Sequence, residues 1–391
     1  MGRWATAASW LAVLGTLAPA CGDSGGDGDV ADAADVVPDE AAEGTDAVPD
    51  ETSEAVPDDG AGEGDAAADA ADADADAEAD VPACRRTGGR CFSFAQITDL
   101  HVGEGRDDYG TPGWDDAGGA EDERTAALRF AVSSINLAIE EYDIRFVAAT
   151  GDFADSGERS EMEKARDILD QLRVPYLPAI GNHDMWPYTS AEEAPEPCGD
   201  RIFEEVFADH FETLEVLFDG FTKAPTPTYD PACRCESHFQ NYGFDYEGFH
   251  FITLDMGTRE HAPFGYSGVH SESELHDFAG GTWPWFEGHL AATATPGARN
   301  TFVFLHHPPI VTTAGLLDCL SPEETGRLEA LLRSDGIRGA VWGFFAGHHH
   351  VDYAMSVYDG QHVIVMPATK DGAVRVVQLF GDGRVEYGTF L

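Results

Sequence analysis

Six short apolar runs follow Cys91, and most of them end in the kind of residue that can hold a metal ion. Phe92 to Thr98, Ile144 to Thr150, Pro175 to Ile180, Phe249 to Asp255, Thr301 to His306 and Val341 to Ala346 have the length and composition of strands buried on both faces. Asp99 and His101 follow the first run, Asp152 the second, and Asn182 with His183 the third. His306 closes the fifth, and His348 and His350 follow the sixth. In open α/β sheets, sites form beyond the carboxyl ends of strands. A random scatter of histidines and acids would not keep choosing those ends. Helical periodicity fills the gaps, over Glu123 to Tyr142 and Ser160 to Arg173. In the second, Met162, Ala165, Ile168, Leu169 and Leu172 share a face, and Ser160 with Glu163 predicts a capping box at its start. The alternation predicts an α/β fold with helices covering sheets. Gln361 to Met366, Ala373 to Leu379 and Arg384 to Phe390 predict a closing run of antiparallel strands, turning at Asp371-Gly372 and Asp382-Gly383.

The rest of the chain is organised around that domain. Arg3, an apolar run from Ala5 to Leu17, and Ala18-Pro19-Ala20 before Cys21 read as a secretory signal over residues 1–20. The junction resembles a bacterial lipobox, with Leu17 one place earlier than usual. The resemblance implies cleavage before Cys21 and lipidation of its thiol, which places the protein in the cell envelope, exported and membrane-anchored. Residues 21–83 then form an acidic linker. From Gly22 to Val81 there is no Lys, Arg, aromatic, Leu or Ile, so the segment cannot bury enough apolar surface to offset its ordering entropy. Like charges would extend it as a tether. It holds 22 of the 72 acidic residues, yet the remainder of the chain stays strongly acidic. That sign argues against nucleic acid or an anionic membrane as a partner for the bulk surface, leaving the anchor at Cys21 as the membrane contact.

The folded domain spans 84–391 and carries six cysteines: Cys84, Cys91, Cys198, Cys233, Cys235 and Cys319. An even number in an exported chain predicts disulfides. Cys84 with Cys91 reads as a local clip, whereas Cys233 and Cys235 stand too close for easy mutual pairing and are expected to pair elsewhere. Residues 186–246 break the strand–helix rhythm and read as an insertion over one sheet edge, held by disulfides and carrying a helical pattern from Arg201 to Phe218.

Five blocks in order resemble the calcineurin-like metallophosphoesterase family. They are Asp99-Leu100-His101, Gly151-Asp152-Phe153-Ala154-Asp155, Gly181-Asn182-His183-Asp184, His306-His307-Pro308-Pro309 and Gly347-His348-His349-His350. The resemblance implies a four-layer αββα sandwich of mixed sheets, with a dinuclear centre at the carboxyl ends of its strands. Asp99, His101, Asp152 and His350 would hold one ion, and Asp152, Asn182, His306 and His348 the other, with Asp152 bridging. Such a donor set suits Mn, Fe, Zn or Co. Two ions about 3.5–4 Å apart acidify a shared water and clamp a phosphate, which is what ester hydrolysis at neutral pH requires. His183 would contact phosphate and protonate the departing oxygen, paired with Asp155. Asp184 is expected to brace its turn, Asp255 to be structural, and His307 and His349 to point to the other face of their strand or loop.

Departures from the family's branches narrow the reading. Asp155 stands where purple acid phosphatases carry Tyr, and Ser156-Gly157 follows it where protein Ser/Thr phosphatases carry Arg-Gly. The expected activity is therefore hydrolysis of small phosphate esters, diesters or monoesters. An exported nuclease of the same fold and a non-catalytic metal-binding surface protein are the alternatives. Loops at 104–122, 186–246 and 259–285 are the expected shapers of substrate access. Their aromatics Tyr109, Trp114, Trp186, Trp283 and Trp285 are assigned to packing before stacking on a ligand.

Overall fold

A computed structural model describes residues 88–104, 123–186, 199–259, 273–310 and 319–391. The signal, the acidic linker, Cys21, Cys84, Cys198, Tyr109 and Trp114 lie outside the described residues. In chain order the strands are β1 (Arg90–Ile97), β2 (Ile144–Thr150), β3 (Tyr176–Ala179), β4 (Asp219–Lys223), β5 (Thr228–Asp230), β6 (Cys235–Ser237), β7 (Tyr242–Tyr246) and β8 (Phe249–Leu254). They continue with β9 (Thr301–Leu305), β10 (Val341–Ala346), β11 (Tyr353–Val357), β12 (Gln361–Val365), β13 (Arg375–Phe380) and β14 (Val385–Phe390). The helices are α1 (Glu123–Tyr142), α2 (Arg159–Leu169), α3 (Asn182–Met185), α4 (Gly199–Leu217), α5 (Thr282–Thr293) and α6 (Pro322–Leu332).

Two mixed sheets carry the domain. One runs β14-β13-β1-β2-β3, the other β11-β12-β10-β9-β8-β7-β4. In the first, β1, β2 and β3 are parallel; in the second, β8, β9, β10 and β12 are. Parallel strands need both faces covered, and the near-continuous apolar runs of the sequence meet that demand. Phe92, Phe94 and Phe146 of the first sheet interleave with Phe251, Phe304 and Phe345 of the second. The Phe94 ring lies 5.3 Å from both Phe304 and Phe345. The outer face of the first sheet is covered by α1, through Leu128, Ala131, Val132 and Ile135, and by α2. Leu290 of α5 and Leu328, Leu331 and Leu332 of α6 cover the second sheet against Ile252, Leu254, Val303 and Phe344. The layering is helix, sheet, sheet, helix.

Several local expectations change. α2 starts at Arg159 with Glu158 at its N-cap, not at Ser160. No side chain caps it, because Ser160 lies inside the first turn with its hydroxyl buried. The closing strands divide between sheets. β12 pairs with β10 and β11, whereas β13 and β14 join β1 on the other sheet. Hence Asp371-Gly372 leads a crossover rather than a hairpin, and Asp382-Gly383 alone turns a hairpin. Cys233 and Cys235 are bonded to each other. Arg234 between them adopts a left-handed φ of 61°, which folds the chain and brings their Cα atoms to 5.3 Å. Cys91 is disulfide-bonded and Cys319 is a buried thiol. In the 186–246 segment, β4 and β7 extend the second sheet at its edge, and α4 packs Phe203 and Phe207 on Phe153, next to Asp152.

Phe94 is the hinge of the inter-sheet packing, fully buried between four rings. Phe94→Ala is expected to cost about 3–5 kcal/mol by loss of transfer energy plus the cavity left behind. A denaturant melt should show the midpoint fall with little change in slope; an unaltered midpoint would contradict this packing.

Candidate metal centre

The carboxyl ends of the two sheets meet at one edge, and every expected ligand lies there. Beyond β1 and β2 the two loops stay in register. The Leu100 and His101 amides donate to the Asp152 carbonyl, and the Val102 amide to that of Phe153. This doubling brings Asp99 and His101 beside Asp152. Five of the seven expected ligands sit in left-handed backbone: Asp99 (φ 53°), His101 (45°), Asp152 (56°), His348 (70°) and His350 (53°). Each such residue costs on the order of 1–3 kcal/mol, and strain of this kind concentrates at functional sites. Two glycines are there for close approach. A Cβ on Gly181 would lie 2.1 Å from Asp152 Oδ1, and one on Gly347 would lie 1.9 Å from Thr98 Oγ1.

The candidate ligand atoms form two nests with one carboxylate between them. In the first, donor atoms of Asp99, His101 and His350 all lie within 4.8 Å of one another. His350 Nε2 is 3.2 Å from Asp99 Oδ1 and 3.3 Å from His101 Nε2. In the second, His306, His307 and His348 converge in the same way. Asn182 Oδ1 stands 3.0 Å from His306 Nε2. Between them, Asp152 Oδ2 lies 3.1 Å from His306 Nε2 and 3.6 Å from His101 Nε2. The other oxygen of Asp152 accepts the His183 amide at 3.0 Å.

Orientation of the imidazoles is set from behind. His306 Nδ1–H donates to the Thr150 carbonyl at 2.9 Å, which turns Nε2 inward. His101 Nδ1–H donates to Asp155 Oδ1 at 2.9 Å and likewise presents Nε2. A second hydrogen bond that fixes tautomer and ring angle is the usual support of a ligating histidine. The Asp155 carboxylate is 3.7 Å from His183 Nδ1, and its backbone carbonyl takes that nitrogen at 2.5 Å. Asp155 therefore serves both histidines, His101 by its side chain and His183 by its main chain. Asp184 braces the turn as expected: its oxygens accept the amides of Phe153, Ala154 and Gly181. Burial, then repulsion from Asp152, pushes its carboxyl up to about 8.

The electrostatics favour cations. Burial alone would raise Asp152, but His306 and His183 hold it well below the usual carboxylate range. Burial disfavours the His306 cation, yet Asp152 and Asp99 push it up to about 9. His307 and His348 are driven well below the ordinary histidine range, by burial and by neighbouring imidazoles. They are thus neutral, the form with a lone pair to give. Two buried aspartates and a crowd of neutral imidazoles form a site that metal ions would relieve.

Sequence patterning misplaced one residue and overlooked another. His307 does not turn away: its ring stands 4.4 Å from His348, inside the second nest. The chain leaves strand geometry at His306, before Pro308 and Pro309, so strict alternation of faces ends there. No sequence pattern points to Lys370. The turn Thr369–Asp371 docks behind the first block, with amides on the Thr98 and Asp99 carbonyls, and Lys370 lies close enough to add to the lowering of Asp155 and to oppose the rise that Asp99 gives His350. His349 is held by Tyr353, whose Oη is 2.8 Å from Nδ1, with Nε2 3.6 Å from Cys319 Sγ. Asp255 is structural, paired with Arg259 at 2.7 Å. Trp186 and Trp283 are buried in packing, and Trp285 stacks on His289.

Known proteins bear on this geometry. A glycerophosphodiester phosphodiesterase of Enterobacter lignolyticus (strain SCF1) is 26% identical over 238 residues, 61% of this chain and 66% of that protein. A protein of Rhodopseudomonas palustris described as a "Probable cyclic nucleotide phosphodiesterase" is 28% identical over 228 residues, 58% of this chain and 61% of its own. The chain thus spans just under two thirds of the length of each. Among solved structures, a dimetal phosphatase from Danio rerio aligns over 77% of this chain and 100% of its own at 15% identity, with a TM-score of 0.42, too loose a likeness to bear on function. The family described as calcineurin-like phosphoesterase matches residues 92–352, which hold all five blocks, and the chain belongs to that family.

Proposed function

We propose that this protein hydrolyses small phosphate esters, with diesters preferred, at a dinuclear metal centre held by Asp99, His101, Asp152, Asn182, His306, His348 and His350. The observation that carries the reading is the position of one oxygen. Asp152 Oδ2 faces His306 on one side and His101 on the other, as a bridging carboxylate must. The preference for diesters rests on the two curated relatives, both described as phosphodiesterases. When bound, two divalent first-row ions would acidify a shared water and draw charge from the phosphoryl oxygens.

The chain's own groups supply the rest. Asp155 holds His101 in register through Nδ1. His183, whose side chain is 24% exposed, reaches the open side of the centre. Its Nδ1–H is committed to the Asp155 carbonyl, so Nε2 is the atom that exchanges a proton with substrate. Burial, then the nearby His101, lowers His183 and keeps it neutral in the resting site. An arriving phosphate anion favours the imidazolium, which then protonates the departing oxygen. Lys370 adds positive field at the rim.

With Mn²⁺ supplied, hydrolysis of bis-p-nitrophenyl phosphate is expected to exceed that of p-nitrophenyl phosphate, and both should stop on chelation. Asp152→Asn should lose metal and rate together. His183→Ala should keep its metal content and lose about 10²–10⁴ in kcat, the usual worth of a positioned acid. Absence of turnover on both esters with Mn²⁺, Zn²⁺, Co²⁺ and Fe²⁺ would remove the enzymatic reading, leaving metal binding alone.

We further propose that the chain is exported and held in the envelope by lipid on Cys21, with the acidic linker as its tether. The support is the sequence alone: the apolar run, the small residues before Cys21, and the acidic stretch after it. Cys21→Ser is expected to move the protein from the membrane fraction to the soluble fraction of the producing cell. Equal partition of the two forms would contradict the anchor.

A further inference from the structure

Away from the dinuclear centre, three further side chains converge with their donor atoms within 4.8 Å of one another: Asp230, Glu274 and His276. They come from separate places in the chain. Asp230 ends β5. Glu274 and His276 follow the bridge that pairs Ser273 with Gly257. Asp230 and His276 are buried, and Glu274 keeps 29% of its side chain open to solvent.

The hydrogen bonding around this cluster is incomplete in a specific way. Asp230 Oδ1 accepts the Ala232 amide at 2.8 Å, but the buried Oδ2 has no hydrogen-bond partner among the described residues. His276 Nε2–H donates to the Gly257 carbonyl at 2.9 Å, which turns Nδ1 toward Glu274. That buried nitrogen also lacks a hydrogen bond, although Glu274 Oε1 stands 2.6 Å away. The close pair of Glu274 and His276 thus stands beside a carboxylate oxygen with no donor among the described residues. The neighbouring cation does not resolve this. Arg259 spends its guanidinium on Asp255, Asp200, the Gly257 carbonyl and Met185. A buried carboxylate oxygen and a buried imidazole nitrogen without donors carry a large desolvation cost. One divalent ion would engage all three side chains at once and give Asp230 Oδ2 and His276 Nδ1 the partner they lack among the described residues.

We propose that Asp230, Glu274 and His276 bind a single structural zinc-class ion, distinct from the dinuclear centre. One imidazole with two carboxylates suits a first-row ion, because Ca²⁺ and Mg²⁺ prefer all-oxygen shells. The Nε2–H bond to a backbone carbonyl is the support a ligating histidine normally has. Glu274, on the solvent side, is the entry point. The ion joins β5 to the loop around Gly257. That loop packs on Met185 and His307, since a Cβ on Gly257 would lie 2.0 Å from Met185 Cε and 3.7 Å from His307 Cε1. It therefore braces the backbone behind the second nest without touching the reacting atoms.

The test is metal content, measured by mass spectrometry on the full chain after stripping, loading with Zn²⁺ and desalting. Asp230→Asn and Glu274→Lys are each expected to hold one equivalent of zinc fewer than the unaltered chain. Asp152→Asn, which disables the dinuclear centre, should keep that equivalent. Glu274→Lys decides if Asp230→Asn misfolds, because Glu274 is partly exposed and the new ammonium takes the place of the ion. Unaltered zinc content in folded Glu274→Lys would overturn the proposal, as would an Asp152→Asn protein that holds no zinc.

Discussion

A single backbone carbonyl organises the meeting of the two sheets. The Thr150 carbonyl, at the end of β2, accepts the Thr98 hydroxyl from the end of β1 and the His306 Nδ1–H from beyond β9, both at 2.9 Å. Gln96 adds a second tie, its buried amide donating to Thr150 Oγ1 and to the Ala346 carbonyl of β10. The Gly347 amide donates in turn to the His306 carbonyl. Four strand ends from two sheets are thereby locked edge to edge. The aromatic layer sets the spacing between the sheets, and these polar ties set their register. Without that register, ligands from opposite sheets could not share Asp152.

The same junction concentrates unfavourable energy. It holds three buried aspartates (Asp99, Asp152 and Asp184), several neutral imidazoles and five non-glycine residues in left-handed backbone. Asp and His tolerate that conformation better than most residues, which lowers the cost without removing it. The phenylalanine-rich core between the sheets offsets it. Metal binding would repay part of the remainder, since ligands held in place before the ion arrives convert its affinity directly into stability of the fold. A strained, pre-shaped site on parallel strands is a consistent design: the rigid scaffold carries the strain, and the loops carry the ligands.

Much of this was legible in the sequence, for a physical reason. Strands of a parallel sheet are buried on both faces, so they appear as unbroken apolar runs, and their ends are easy to find. Asp99, Asp152, Asn182, His306 and His348 could be placed at an edge from that alone. Features that depend on the path of the chain after the strand were hidden. His307 turned inward because the strand ends one residue sooner than its apolar run suggests. Arg234 could not be foreseen in left-handed backbone, so Cys233 and Cys235 looked too close to pair. β12 and β13 read as neighbours because they are adjacent in sequence, although a crossover carries the chain from one sheet to the other. Lys370 sits in that crossover, where no periodicity marks it.

Asp155 shows what geometry adds to a motif. Three residues beyond Asp152, it stands where the backbone still follows the first loop, its amide donating to the Val102 carbonyl. That pairing places its carboxylate on His101 and its carbonyl on His183, so one residue orients a candidate ligand of the first nest and the histidine proposed to face substrate. A role assigned by motif alone would pair the carboxylate with His183. Here the shorter contact runs to His101, by 2.9 Å against 3.7 Å. Glu161 extends the same chain of control inward, since its buried Oε2 accepts the amides of Asp155 and Ser156 and holds the turn in place. His101 in the candidate metal centre and His183, the proposed proton donor, are therefore coupled through a single turn. A change that loosens this turn would disturb both functions together, even where neither His101 nor His183 is altered.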